Sequence, residues 1–381
     1  MEFAWTPDQI ALRDAVLEFA HRALEDDVIR RDREGEFSRP LWARCAEFGI
    51  QGLPFPETYG GRGSDVLTTV LALEALGYGC RDSGLLFGIG AQMWSVQMPI
   101  FRFGTDDQRR RYLPRLCDGT IIGAHGMTEP DSGSDAFSLR TTAERRGDRY
   151  VLNGAKTFVS NAPVADVFLV FASIDRSKGV LGLTSFLVDR DTPGFRVSPP
   201  IEKMGLTTSP MAELIFEDCE VPSENRLGRE GRGAAIFDDS MEWERSCILA
   251  PFVGTLQRQL ETCVRYAKDR RQFGRRIGDF QAVSGRLVQM KARLETGRLL
   301  LYRAAWTKQQ GLPAAGEAAL AKLYLGEACL QSSLDAVQVH GGYGFTREYE
   351  LERTVRDSVG GRLYSGTSEM QAAIIARTLG L

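Results

Sequence analysis

Glu244 is the side chain whose surroundings, read from spacing alone, point most directly to chemistry. An amphipathic helix is expected over Phe237–Ala250. On it Phe237 lies seven residues before Glu244, Met241 three before, Cys247 three after and Ile248 four after, all on one stripe. Glu242 is placed differently: Asp238, Asp239, Arg245 and Ser246 are its helical neighbours and make an ordinary solvated face. A carboxylate among Phe, Met, Cys and Ile loses hydration. That loss disfavours its charged form and raises its pKa toward the range useful for taking a proton from carbon. The same pattern also suits a buried glutamate held by Arg245 or another arginine as a structural ion pair.

Four further stretches have ligand-binding composition. Gly126–Asp135 (Gly-Met-Thr-Glu-Pro-Asp-Ser-Gly-Ser-Asp) offers amides and short hydroxyls to carbonyl or phosphate oxygens, or is a plain surface loop. Val339–Gly344 has three glycines that allow close backbone approach, or simply end a helix. Arg270-Arg-Gln-Phe-Gly274, with Arg275, Arg276 and Gln281 behind it, suits a diphosphate or complements a helix dipole. Leu363–Gln371 is a hydroxyl-rich turn opening a last helix, whose amides face an anion or merely cap it.

The elements that position these groups fall into three blocks. Residues 1–120 read as helical: Thr6-Pro-Asp-Gln9 signals a helix start. Pro54–Gly63 is a connector, Ser64–Ala75 resumes helical spacing, and Asp106–Leu116 is another helix, ended by Cys117-Asp-Gly119. Residues 121–230 carry short β runs at Tyr150–Leu152, Val167–Phe171, Thr184–Val188 and Glu213–Phe216. Asn153-Gly154 and Pro193-Gly194 read as turns between them, so an antiparallel sheet or small barrel is expected. Residues 231–381 return to helical periodicity, with Leu256–Tyr266, Val283–Gln309 and Glu317–Val339 long enough for a bundle. The fold class is therefore α+β, with a helical, a β and a second helical domain in that order.

Composition narrows the rest. Among 381 residues, 47 basic against 50 acidic side chains leave a net charge of −3, which gives no overall field for nucleic acid. Seven scattered cysteines without a Cys-x-x-Cys pair, and only three histidines, argue against a metal centre or a disulfide framework and for a reduced, cytoplasmic protein. No basic-then-apolar leader and no bilayer-length apolar run is present. The usual phosphate-binding glycine loops are absent too.

Taken together, five separated motifs resemble the acyl-CoA dehydrogenase family of flavoenzymes. They are Met127–Asp135, Asn153–Asn161, Arg271–Gly274 with Gln281, Gln338–Gly344 and Tyr364–Gln371. The resemblance implies an N-terminal helical domain, a central antiparallel β domain and a C-terminal four-helix bundle, with FAD bound between the last two. It places Met127 and Thr128 at the flavin ring and Phe158 and Ser160 on its other side. Arg271, Phe273, Gln338, Gly341 and Gly342 are expected at the diphosphate and adenine end, reached from a neighbouring subunit of a homotetramer or homodimer, and Gln281 is counted among the cofactor residues. Thr367 and Glu369 close over the cofactor, and Ser134 touches the pantetheine arm of a thioester. Arg245, Tyr364 and Ser365 complete the expected substrate site.

Most members of that family carry their catalytic glutamate just before the Gly-Thr of the last motif, where this chain has Ser365. A minority place it on the helix opening the C-terminal domain, before an arginine, as in Glu244-Arg245. The implied chemistry is removal of a thioester α-proton by Glu244, with hydride passing from the β-carbon to flavin. Trp243–Arg245, Asn161–Asp166 and Tyr364–Gln371 look most like the prolyl-carrier-protein dehydrogenases, which oxidise proline held on a peptidyl carrier protein toward a pyrrolyl thioester. The alternatives are a short- or branched-chain acyl-CoA dehydrogenase and, more remotely, a flavin monooxygenase of the same fold. Electrons would leave to oxygen or to an electron-transfer protein.

Overall fold

Thr6 and Gln9 cap each other's backbone N–H and start the first helix where the sequence signals it. The computed structural model describes residues 4–25 and 27–381. Among the described residues the N-terminal layer consists of α1 (Pro7–Ala23), α2 (Val28–Glu34), α3 (Arg39–Phe48), α4 (Val66–Gly79), α5 (Ser83–Gln92), α6 (Met98–Phe103) and α7 (Asp106–Cys117). Between α5 and α6 the chain makes a π-helical turn, Met93–Gln97, in which Met98 N–H reaches back to the Met93 carbonyl. Pro99 follows at once and has no N–H to return to the Ser95 carbonyl, which is where a helical ladder gives way.

The middle of the chain is one eight-stranded sheet: β1 (Gly123–Gly126), β2 (Thr142–Arg146), β3 (Arg149–Ser160), β4 (Val167–Ser173), β5 (Leu183–Asp189), β6 (Phe195–Val197), β7 (Met211–Pro222) and β8 (Arg226–Leu227). Its order is β6-β7-β3-β2-β4-β5-β8, with β1 beside β4. Two of the expectations change here. The sheet is largely antiparallel, but β1 and β2 both run parallel to β4. Asn153-Gly154 is not a turn: it lies inside β3, at a bulge where the pairing to β7 slips. Gly154, at φ 144°, takes up the irregularity.

A second slip between Lys156 and Val159 leaves Phe158 at φ 56° and 61% exposed, a large ring turned away from the core by its strand.

The C-terminal bundle comprises α8 (Gly233–Cys247), α9 (Ala250–Asp269), α10 (Gln281–Gln309), α11 (Ala315–His340), α12 (Leu351–Gly360) and α13 (Ser368–Thr378), with a small hairpin β9 (Arg271–Gln272) and β10 (Arg275–Arg276). The expected single helix Phe237–Ala250 is corrected at both ends. α8 starts four residues earlier, and it stops at Cys247 because Pro251 opens α9 in its first turn. α9 packs directly on α4. A Cβ at Gly77 would come within 1.9 Å of the Pro251 carbonyl oxygen, and one at Gly254 within 2.0 Å of that of Glu74. That backbone contact locks the bundle to the N-terminal layer.

All seven cysteines are buried and unpaired. Among the described residues no helix is long and apolar enough to cross a membrane.

Candidate active site

α8 buries Ile236, Ser240, Met241, Glu244 and Cys247 on one face, so Glu244 points inward, 7% exposed. Phe237 is only half-buried on that stripe. The expectation for Glu242 holds only in part: its side chain is half-buried and pairs with Lys308 at 2.6 Å, and Ser246 on its face is fully buried, while Asp238 is exposed.

Two hydroxyls grip the Glu244 carboxylate, Ser95 donating to one oxygen and Ser365 to the other. Arg245 does not pair with it; its Nε donates to the Ser365 carbonyl at 3.0 Å. Among the described residues no cation stands within ion-pair range of Glu244, so the structural ion-pair alternative loses its partner. Burial pushes the Glu244 carboxyl above the ordinary range, opposed by the two serines and, at longer range, by Arg245 and Lys322. A carboxyl so placed is ionisable, water-shielded and held in one orientation, which is what proton abstraction from carbon needs.

Ser365 reaches it from a strained turn. Ser365 and Gly366 both adopt positive φ, 56° and 89°. Three helices hold the turn through its carbonyls: Gln371 on α13 donates to those of Ser365 and Gly366 (3.1 and 2.9 Å), Lys322 on α11 to that of Gly366 (2.6 Å), and Arg245 on α8 to that of Ser365. Tyr364 packs its ring 4.6 Å from that of Phe87, and its hydroxyl is buried without a partner among the described residues.

Lys322 is 1% exposed, and burial lowers it to about 8, Glu244 pulling the other way. Its charge favours the ionised form of Glu244. Lys322→Met is therefore expected to move the acid limb of the kcat/KM profile to higher pH and cut kcat/KM at neutral pH on the order of tenfold, the worth of one hydrogen bond to a charged group. Lys322→Arg should restore part of it. A pH profile superimposable on the parent's would refute this role.

A second buried pair shapes the sheet side. Lys156 is fully buried and donates to Glu129 at 2.7 Å and to the Met127 carbonyl at 3.3 Å. Glu129 also accepts the backbone N–H groups of Arg140 and Thr141. Burial pushes the Glu129 carboxyl up, but Lys156 and these donors more than offset it and hold it below the usual range. Burial lowers Lys156 to about 8, Glu129 partly restoring it.

With the Thr157 N–H on the Thr128 carbonyl at 2.9 Å, the pair draws Met127 and Thr128 against the strand that carries Phe158 and Ser160. His125, just before this loop, stacks on Phe237 of α8 with centroids 5.9 Å apart, tying β1 to the helix that carries Glu244. Burial, and then Lys156, push His125 down to about 4, so it is neutral.

The expected residues thus fall into three groups. Glu244, Arg245, Tyr364 and Ser365 cluster around one carboxylate, with Thr367 capping α13 beside them and Glu369 exposed in its first turn. Met127 and Thr128 are hydrogen-bonded to Lys156 and Thr157, on the strand that goes on to Phe158 and Ser160, and Ser134 lies exposed on the loop beyond Met127. Arg271, Phe273, Gln281, Gln338, Gly341 and Gly342 are exposed elsewhere, the hairpin joined to the turn after α11 by Arg270 over Tyr343 at 5.7 Å. From Lys322, beside Glu244, to Gln338 is about 24 Å along α11.

Sequence reasoning missed Ser95, Lys322, Gln371 and the Glu129–Lys156 pair. For Lys322 the signal was available: it lies among Ala318, Ala319, Leu325 and Gly326 at helical spacing, the same test that found Glu244.

The chain matches three family models: acyl-CoA dehydrogenase N-terminal domain over residues 6–120, middle domain over 124–219 and C-terminal domain over 231–380. It is 46% identical over 346 residues to an L-prolyl-[peptidyl-carrier protein] dehydrogenase of Pseudomonas fluorescens, covering 91% of each chain. Among solved structures it is similar to the prolyl acyl carrier protein oxidase AnaB, with TM-score 0.98, 50% identity and 99% and 100% of the two chains covered. It is also similar to PigA with FAD and proline, with TM-score 0.98, 41% identity and full coverage of both chains.

Proposed function

Because the chain belongs to the acyl-CoA dehydrogenase family and is an FAD-dependent oxidoreductase, we propose that it oxidises a prolyl group tethered as a thioester to a peptidyl carrier protein, with Glu244 as the base. The observation that carries the reading is the Glu244 carboxyl: buried, held by two hydroxyls and, among the described residues, without a cation in pairing range.

The residues present fit the cofactor. At Gly341 and Gly342 a Cβ would meet nothing within 4 Å, which leaves open backbone for close approach by a ligand. Phe158 displays its ring from a bulge beside Met127 and Thr128, as a neighbour of a planar ring system should. Bound FAD supplies the acceptor for the hydride lost from the substrate β-carbon.

The chain's own residues do the rest. Glu244 takes the α-proton, whose acidity comes from the adjacent thioester carbonyl. Ser95 and Ser365 hold the carboxylate in one orientation. Arg245, Lys322 and Gln371 fix the turn that presents Ser365. Thr367 and Glu369 lie near that turn and Ser134 toward the pantetheine arm. Each round removes one proton and one hydride from the ring, and two rounds, with the flavin reoxidised between them by oxygen or an electron-transfer protein, lead from prolyl to pyrrolyl.

The remaining cofactor residues, Arg271, Phe273, Gln281, Gln338, Gly341 and Gly342, serve a second copy of the chain in a homotetramer or homodimer. Their separation of roughly 24 Å from the Glu244 end of α11 supports this division of labour. The protein works in the cytoplasm, where its seven unpaired cysteines suit a reducing compartment.

The test is to mix flavin-loaded protein anaerobically with prolyl-loaded carrier protein, or with butyryl- and isovaleryl-CoA, and follow flavin absorbance. Bleaching by the prolyl carrier at micromolar concentration is expected. Rapid bleaching by an acyl-CoA, and none by the carrier, would return the protein to acyl-CoA catabolism.

A further inference from the structure

The start of α8 is the rim of a cationic patch that the chemistry above does not use. Gly231, just before it, donates its N–H to the Thr184 hydroxyl at 3.0 Å and lies close under the Leu181 carbonyl, where a Cβ would stand at 2.4 Å. This contact brings the 3-10 segment Arg176–Gly182 against the start of α8, where Arg232 follows Gly231 and Arg229 lies two residues before it. Arg176, Arg229 and Arg232 are all exposed, and among the described residues no carboxylate lies within ion-pair range of any of them.

The carboxylates nearby are already taken: Glu230 by Arg145 and Arg226, and Asp175 by Lys178. Beside these cations Val180 and Leu181 are 46% and 67% exposed. α8 then rises from Arg232 to Glu244 over about 18 Å, a span that an extended phosphopantetheine arm covers.

We propose that Arg176, Arg229 and Arg232, with Val180 and Leu181 of the adjoining 3-10 segment, form the docking surface for an acidic carrier protein whose phosphopantetheine arm runs alongside α8 to Glu244. This rests on the carrier-bound substrate proposed above. Unpaired surface cations steer an acidic partner and set its on-rate, and the phosphodiester at the root of the arm is itself an anion. The exposed valine and leucine separate the two thioester carriers: a carrier protein brings an apolar face to cover them, whereas coenzyme A brings phosphates and an adenine but no such face.

The experiment compares the flavin-loaded parent with the R176E/R229E/R232E variant on three probes: prolyl-loaded carrier protein, prolyl-CoA and the prolyl thioester of pantetheine. For the carrier substrate, KM is expected to rise on the order of tenfold in the variant and to lose most of its salt dependence, kcat staying within about twofold. For prolyl-pantetheine both constants should be unchanged, which also shows that the variant is folded and active. An equal KM loss with prolyl-CoA would mean that the patch reads phosphate rather than a protein surface and would overturn the proposal. So would an unchanged KM for the carrier substrate. If the parent bleaches with none of the three probes, the substrate reading fails and not merely the surface.

Discussion

Glu244→Gln is expected to retain its flavin and to lose reduction by substrate, slowing it about 10²–10⁴-fold, the usual contribution of a positioned base. The replacement keeps the size of the side chain and a group that Ser95 and Ser365 can still bond, so the pocket is preserved while the proposed proton acceptor is removed. In the parent, burial lifts the carboxyl above its ordinary range, so the active, ionised fraction falls as pH drops through that raised value. The acid limb of kcat/KM should therefore lie above the range of an exposed glutamate.

Folding carries the opposite signature. Above the raised pKa the ionised carboxyl is less at home in the fold than in the unfolded chain, so the glutamine variant should melt higher than the parent at neutral pH. The gap should close as pH falls toward the ordinary glutamate range. Stopped-flow absorbance and a pair of melting curves check both halves, and near-parental bleaching would remove Glu244 from the reaction.

Lys156→Met is expected to have the largest effect on the fold. It leaves the Glu129 carboxylate 5% exposed with no cation, a change that costs about 3–5 kcal/mol when a buried pair loses one partner. Because the same pair draws Met127 and Thr128 toward Phe158 and Ser160, flavin retention after gel filtration should fall along with the melting temperature.

Replacing both partners, E129L/K156M, should recover only part of the loss. The charge is gone, but the N–H groups of Arg140 and Thr141 lose the acceptor that Glu129 provided, at about 1–3 kcal/mol for each donor left unsatisfied. A double variant less stable than the single one would show that those backbone bonds, rather than the ion pair, dominate.

The order helical, β, helical was legible because apolar periodicity changes from 3.6 to 2 and back, and long helices such as α10 and α11 repeat the signal many times. Glu244 was legible for the same reason. Local turn chemistry was less faithful. Asn153-Gly154 carries a strong hairpin signal, yet its glycine serves a bulge inside β3, because pairing with β7 continues on both sides and outweighs the dipeptide.

The break between α8 and α9 had its marker in Pro251, which opens a helix better than it continues one. The parallel neighbour β1 could not be read, since Gly-Ala-His-Gly has no β-branched run and owes its strand to β4. Ser95 was invisible in principle: a π-helical turn is a property of the ladder, and nothing in Met-Trp-Ser-Val-Gln announces one.

α13 buries a single residue, Gln371, and that residue is one of the three side chains that fasten the Ser365–Gly366 turn. A helix with so little buried surface opens at a lower free energy than the core it rests on. Its opening would remove one of the three ties on the turn that presents Ser365 to Glu244 while the sheet and bundle stayed intact, so warming would loosen the setting of the proposed base before the protein unfolds.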